Sequence, residues 1–164
     1  MNYRIGTLAD VDHICLLIAD AIKEMESKGI YQWDSIYPTR EDFIDDIQKN
    51  TLYVVEDNME LVAIYVISEE YDDAYDGCEW ENATDTACIL HRLCVSPHFQ
   101  NKGVGKQVLL HIEEQLAALS YQSVRLDVYT KNPYALRLYE NNGYRERGFA
   151  DWRKGRFLLM EKTL

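Results

Sequence analysis

The run TACILHRLCV, residues 86–95, is nearly continuous in apolar side chains. It is too short to span a membrane and fits a central β-strand covered on both faces. A strand of that kind needs a sheet with packed layers on each side, and the rest of the chain has to supply them. Downstream, the polar turn SPHFQNKG leads to Val104, Val108, Ile112 and Leu116, which step by four with Leu109 and Leu119 beside them. That spacing predicts a helix. In SVRLDVYT, residues 123–130, Val124, Leu126 and Val128 alternate with Arg125, Asp127 and Tyr129, which predicts a strand with one buried face. Asn132-Pro133 opens a further helix as N-cap and first-turn proline, and Asn142-Gly143 closes it in the left-handed manner.

Upstream, a short strand around Tyr3–Gly6 precedes Thr7-x-x-Asp10, which resembles a helix cap. Val11, Ile14, Ile18, Ala21, Ile22 and Met25 form one helical stripe that Gly29 ends. An aromatic loop, GIYQWDSIYPTR, leads to a second helix near Thr39, with Phe43, Ile44 and Ile47 facing inward. TLYVVED and ELVAIYVIS read as a hairpin turning at Asp57-Asn58. Two last strands fall near Tyr144–Arg147 and Arg156–Lys162. The order β-α-α-β-β-β-α-β-α-β-β describes an α/β (α+β) protein. Its core is a mixed, mostly antiparallel central sheet of about seven strands with helices on both faces. At 164 residues the chain is expected to be a single domain, 1–164, able to bury its own core.

The net charge of −11 argues against a nucleic-acid partner held by phosphate neutralisation. The charge is uneven. EEYDDAYDGCEWENATD, residues 69–85, holds eight acids and no Lys or Arg, against 20 acids and 17 bases elsewhere. This segment is either a solvated loop or an acidic rim that gathers a cationic substrate, with Tyr71, Tyr75 and Trp80 offering aromatic faces to a cation. No eighteen-residue apolar run and no signal-peptide pattern occur, so no membrane partner and a cytoplasmic location are expected. Cys15, Cys78, Cys88 and Cys94 form no CxxC pair. His13, His91, His98 and His111 complete no zinc-ligand spacing, so reduced cysteines and no metal are expected.

Two stretches carry chemistry. In VSPHFQNKGVGKQVL, residues 95–109, a strand ends in a polar turn and a helix begins at Gly103 and Gly105. A helix start presents unpaired N–H groups and the positive end of the dipole. Glycines there let a diphosphate approach, and Lys102 and Lys106 add positive charge. The stretch matches neither GxGxxG nor GxxxxGK[ST], and a glycine pair used only for packing is the competing reading. In TKNPYALRLYENNGY, residues 130–144, Asn132 and Tyr139 lie seven apart, two turns along one helix face. The Tyr139 phenol either donates a proton to a leaving thiolate or is an ordinary core hydroxyl.

The two stretches together, in this order, resemble the GNAT N-acetyltransferase superfamily. That family carries Gln/Arg-x-x-Gly-x-Gly/Ala before a helix, read here as Gln100-Asn101-Lys102-Gly103-Val104-Gly105. Its later signature is matched by Asn132, Ala135, Leu138, Tyr139, Gly143 and Tyr144. The resemblance covers the whole chain in element order, with its specific residues in 91–144. It implies acetyl-CoA as co-substrate, with the backbone of Leu93, Cys94 and Val95 pairing the pantetheine arm. Gln100, Asn101, Lys102, Gly103, Val104, Gly105 and Lys106 would hold the pyrophosphate, and Asn132 would touch the cofactor. Tyr139 would be the general acid toward the CoA thiolate. Transfer in the family is usually direct, so Cys94 reads as a strand residue rather than an acyl carrier.

Members of the family often place a basic glutamate on the central strand, and CILHRLCV has none. His91, expected on the same face as Leu93 and Val95, is the titratable candidate there, with a structural histidine as the alternative and Glu79 or Glu81 acting through water as another. The loop bearing Tyr31, Trp33 and Tyr37 occupies the segment that commonly lines the acceptor pocket in the family. Together with Trp80 and the acidic segment it suits a small amine or a peptide N-terminus; alternatively, Trp33 and Tyr37 simply close the core. Transfer to a small-molecule amine is the leading reading. A protein N-terminal or lysine acetyltransferase and a non-catalytic acyl-CoA-binding module are its rivals. Homodimers are frequent in the family.

Overall fold

The structure, a computed structural model, describes residues 1–164. Seven strands, β1 (Asn2–Ile5), β2 (Leu52–Asp57), β3 (Glu60–Ser68), β4 (Ala87–Val95), β5 (Ser123–Tyr129), β6 (Arg145–Trp152) and β7 (Gly155–Thr163), form a mixed sheet in the order β1-β2-β3-β4-β5-β7-β6. Four helices accompany them: α1 (Val11–Ser27), α2 (Arg40–Gln48), α3 (Val104–Ala118) and α4 (Pro133–Asn141). Pairing is antiparallel for β1–β2, β2–β3, β5–β7 and β6–β7, and parallel for β4–β5. The α+β architecture expected from the element order is the one observed. No helix is long and apolar enough to cross a membrane. The residues group into two compact units, Met1–Ile67 with Arg92–Val104, and Ser68–His91 with Gly105–Leu164.

In the first unit, the α1 stripe buries Val11, Ile14, Leu17, Ile18 and Ala21 in a cluster with Leu52 and Val54 of β2, Ile64 and Val66 of β3, and Cys94 of β4. Each large side chain so buried contributes about 1.5–3 kcal/mol. Thr7 and Asp10 do form a reciprocal cap, but it closes a single 3-10 turn, Leu8–Asp10, rather than α1 itself. The same device caps α2 directly, with Asp42 N donating to Thr39 Oγ1 at 3.3 Å and Thr39 N donating to Asp42 Oδ2 at 2.7 Å. The hairpin turns at Asn58-Met59, one residue later than expected, because these two take the positive φ values (50° and 66°) that a tight hairpin needs.

In the second unit, β4 and β5 run parallel from Ala87↔Ser123 to Leu90↔Leu126. The single buried face expected for β5 is a correction: Arg125 and Tyr129 are buried as well as Val124, Leu126 and Val128. Arg125 can be buried because its guanidinium is satisfied. It stacks 4.2 Å from the Trp80 ring and donates to Asn82 O (2.5 Å), Thr84 Oγ1 (3.1 Å) and Glu161 Oε1 (3.4 Å). Leu119 is also corrected, since it follows the end of α3 and is exposed. The next-to-last strand extends to Trp152, further than the expected Arg147. Its Gly148 has no space for a larger residue, because a Cβ there would collide with Cys78 Sγ.

Candidate active site

In the first unit the chemistry lies along the end of β4 and the turn after it. Arg92 has φ 49° inside the strand, a conformation that L-residues reach only when held there. The hold is visible. Arg92 donates to both carboxylate oxygens of Asp46 (2.9 and 2.5 Å) and to the Tyr37 hydroxyl (2.7 Å). A left-handed residue breaks the two-residue alternation of a strand. The expectation that His91 shares a face with Leu93 and Val95 therefore does not follow. Beyond the break, Cys94 enters the core while Leu93 and Val95 are half-buried. Burial pushes the Cys94 thiol up to about 12, which removes the thiolate an acyl-enzyme would need.

Gln100 then folds back, its Nε2 donating to Val95 O at 3.1 Å. Asn101 (φ 61°) and Gly103 (φ 77°) both take left-handed conformations, which turns the chain sharply into α3 at Val104. A Cβ on Gly103 would meet nothing within 4 Å. Its glycine thus serves the backbone conformation and leaves the helix entrance open, and packing is not the reason for it. Lys102 is tied to the turn through Nζ, which donates to His98 O at 3.0 Å and lies 5.4 Å from the Phe99 ring. Val104, Gly105 and Lys106 are the first three residues of α3, at the positive end of its dipole.

The second unit holds the later motif. Asn132 caps α4, its Oδ1 accepting from Ala135 N at 3.1 Å, and Pro133 occupies the first helical position. Tyr139 is buried at 8% exposure, with its ring 5.6 Å from that of Tyr144 in an edge-on arrangement. Gly143, at φ 93°, ends the helix and lets Tyr144 N donate to Tyr139 O at 3.1 Å. His91 Nε2 lies 3.0 Å from Glu70 O and 3.3 Å from Ser68 Oγ. A carbonyl only accepts, so a hydrogen bond to Glu70 O needs the hydrogen on Nε2.

The expected acceptor residues separate by role. Trp33 belongs to the core cluster of the first unit. Tyr37 is partly exposed and bonded to Arg92, and Tyr31 is exposed. Trp80 folds against Tyr75 and Arg125, its indole donating to Tyr75 O at 2.7 Å. Glu81 pairs with Arg147 at 2.7 Å, while Glu79 is exposed. A cavity of about 630 Å³ also opens in the first unit beside α1, over Ile22 and Phe43. Lys23 and Arg40 line it together with Glu26 and Asp34, so charge alone selects no ligand there. Sequence reasoning missed the Arg92–Asp46–Tyr37 link, the burial of Arg125, and a Glu113–Lys162 pair at 2.6 Å near Tyr144. An apolar-to-polar alternation carries no trace of partners so far away in sequence.

With this geometry in view, comparison with known proteins gives a consistent answer. The model of the acetyltransferase (GNAT) family matches residues 18–144, and the chain belongs to that family. It is 30% identical over 101 residues to a probable spermine N(1)-acetyltransferase of Bacillus subtilis subsp. natto, a match that spans 60% of each protein. A GNAT family acetyltransferase structure from Streptococcus agalactiae 2603 superposes with a TM-score of 0.87 at 24% identity, covering 99% of this chain and 95% of that one. The PaiA N-acetyltransferase of Thermoplasma acidophilum, solved in complex with coenzyme A, shares the fold at a TM-score of 0.72 and 18% identity, covering 99% and 98%.

Proposed function

We propose that the protein is an acetyl-CoA-dependent N-acetyltransferase acting on a small primary amine, with a polyamine as the first candidate. The observation that carries the reading is the turn at 100–106, where two left-handed residues deliver the backbone to α3 and a Cβ on Gly103 would meet nothing within 4 Å. Such an entrance suits a diphosphate. Membership of the family supports acetyl-CoA as the donor. The spermine-named relative and the eight exposed acids of segment 69–85 support a polycationic acceptor. The reading treats 1–164 as one acetyltransferase domain, since the family match runs through residues of both compact units.

The chemistry then follows from acid–base requirements. An alkylammonium with a pKa near 10.4 must lose a proton before it attacks, which at pH 7 costs roughly 4–5 kcal/mol. In this reading His91, which lies 3.0 Å through Nε2 from the Glu70 carbonyl, takes that proton. The neutral amine attacks the thioester carbonyl directly, the C–N bond forms, the C–S bond breaks, and the nitrogen gives up its second proton to water to leave the neutral amide. Tyr139 gives its phenolic proton to the departing thiolate and is re-protonated from solvent. The high thiol pKa of Cys94 supports direct transfer over a covalent intermediate.

Calorimetric titration with acetyl-CoA, CoA and ATP is the first test. A panel of monoamines, polyamines and peptide N-termini, scored by the 42 Da gain of an acetyl group, follows it. Micromolar binding of both CoA species with much weaker ATP, and acetylation of free amines, is the expected result. No binding would remove the cofactor reading. Acetylation of peptides alone would move the acceptor to protein N-termini or lysines, and binding without any turnover would leave an acyl-CoA-binding module.

A further inference from the structure

Behind Tyr139 lies a buried polar cluster that the motif does not name. Tyr144 is fully buried, and its ring meets that of Tyr139 edge-on at 5.6 Å. Lys162 of β7 lies 5.9 Å from the Tyr144 ring centre and donates to Glu113 Oε2 of α3 at 2.6 Å. Glu113 is itself 7% exposed. Its second oxygen, Oε1, and the Tyr144 hydroxyl are both buried without a conventional hydrogen bond. Gly143 lies beside the Lys162 stem, where a Cβ would make ordinary contact at 3.6 Å. Burial first, and the Glu113 carboxylate second, push the Tyr144 phenol well above its ordinary range. Tyr144 therefore stays a neutral phenol beside the Glu113 carboxylate.

We infer that the Glu113–Lys162 pair is a positioning device for Tyr139, acting through the Tyr144 ring that lies against both. The pair costs desolvation on both sides, and apolar residues of similar volume would be no less stable in its place. What they would lack is direction. An anion and a cation on two different elements fix the Tyr144 ring at one angle, and the edge-on contact passes that constraint to the phenol of Tyr139. The inference rests on the reading of Tyr139 as general acid. Glu113 and Lys162 touch neither substrate nor cofactor in it.

A kinetic double-mutant cycle of Glu113→Gln with Tyr139→Phe tests it, with Lys162→Arg as the conservative variant. Tyr139→Phe is expected to lower kcat by about 100-fold, the usual scale of a positioned acid. Glu113→Gln, which keeps volume and removes only the charge, is expected to lower kcat by about tenfold with the KM for acetyl-CoA unchanged. Lys162→Arg should retain wild-type kcat. In the Tyr139→Phe background Glu113→Gln should have no further effect, because the group it positions is gone. If Glu113→Gln costs the same factor in both backgrounds, or costs nothing in either, the positioning role is overturned. If Tyr139→Phe alone turns over at the wild-type rate, the general-acid reading falls instead. Should Glu113→Gln not fold, Lys162→Met with Glu113→Leu removes the charges together, and the same cycle is run on that variant.

Discussion

Arg92 holds a conformation that costs an arginine about 1–3 kcal/mol, inside a strand whose neighbours are all extended. Two bonds to Asp46 and one to Tyr37 offset that cost, so one guanidinium joins β4, α2 and the loop before α2. Asp46 and Arg92 are both largely removed from water, at 8% and 15% side-chain exposure. Removing one member of such a pair leaves the other buried without compensation, which typically costs about 3–5 kcal/mol. Asp46→Asn should therefore lower the free energy of unfolding by about 3 kcal/mol, read from the urea midpoint at an unchanged slope. A loss no larger than that of an exposed ion pair would mean that the strained backbone at Arg92 is held by something else. Leu93, Cys94 and Val95, the next residues in this strand, are the ones whose backbone the family resemblance assigns to the pantetheine arm. Asp46→Asn is accordingly expected to weaken CoA binding as well.

Among the elements, the first turn of the chain ties three pieces together through one acid. Asp10 accepts from Thr7 N at 2.7 Å and from both terminal nitrogens of Arg4 in β1, while Arg4 also bonds Glu56 in β2 at 2.5 Å. The Arg4 contact, with help from Thr7, lowers the Asp10 carboxyl from 3.8 to about 2. A folded value below the unfolded one adds stability that is complete above the unfolded value and is lost as the pH falls through the folded one. The contribution should fade between about pH 4 and pH 2. Asp10→Asn should flatten the stability slope in that window; an unchanged slope would show that Asp10 is not a source of the acid sensitivity. The cap itself was legible in the sequence, because Thr-x-x-Asp is a local signal that needs only neighbours to form. So were the start of α2 near Thr39, the cap of α4, the hairpin, and the glycine turn before α3. Long-range partners were not legible. Arg125 alternates like a solvent-facing residue, and only Trp80, Asn82, Thr84 and Glu161, brought in from elsewhere, make its burial tolerable. The break at Arg92 is hidden for the same reason, since Asp46 lies in another helix. Of the candidate site, the motif residues were readable one by one, whereas the Glu113–Lys162–Tyr144 cluster joins α3, β7 and the connection between α4 and β6, and follows no period.

For the molecule as a whole, the charge balance bears most directly on the acceptor. The chain carries −11, and all eight acids of segment 69–85 are exposed. The segment is nonetheless anchored, because Tyr75 is buried with its hydroxyl donating to Asp127 at 2.9 Å and Trp80 stacks on Arg125. Fixed, like-signed charge held on a folded segment raises the local concentration of a cation in a way that a mobile loop does not. That field is screened over about 10 Å at 0.1 M salt, so it belongs to the low-salt regime. A polyamine carrying several positive charges should feel it in proportion to its charge. Between about 20 and 300 mM salt, kcat/KM for a tetraamine should fall by about tenfold, while a monoamine of similar length changes by less than about twofold. Neutralising Asp73, Asp76 and Glu79 together should flatten the tetraamine slope. These three residues are exposed, and kcat at saturating amine should stay as it was. Equal salt slopes for the two amines would leave the acidic segment as a solvated surface, and the choice of a polyamine over a simple amine would then rest on the cited relative alone.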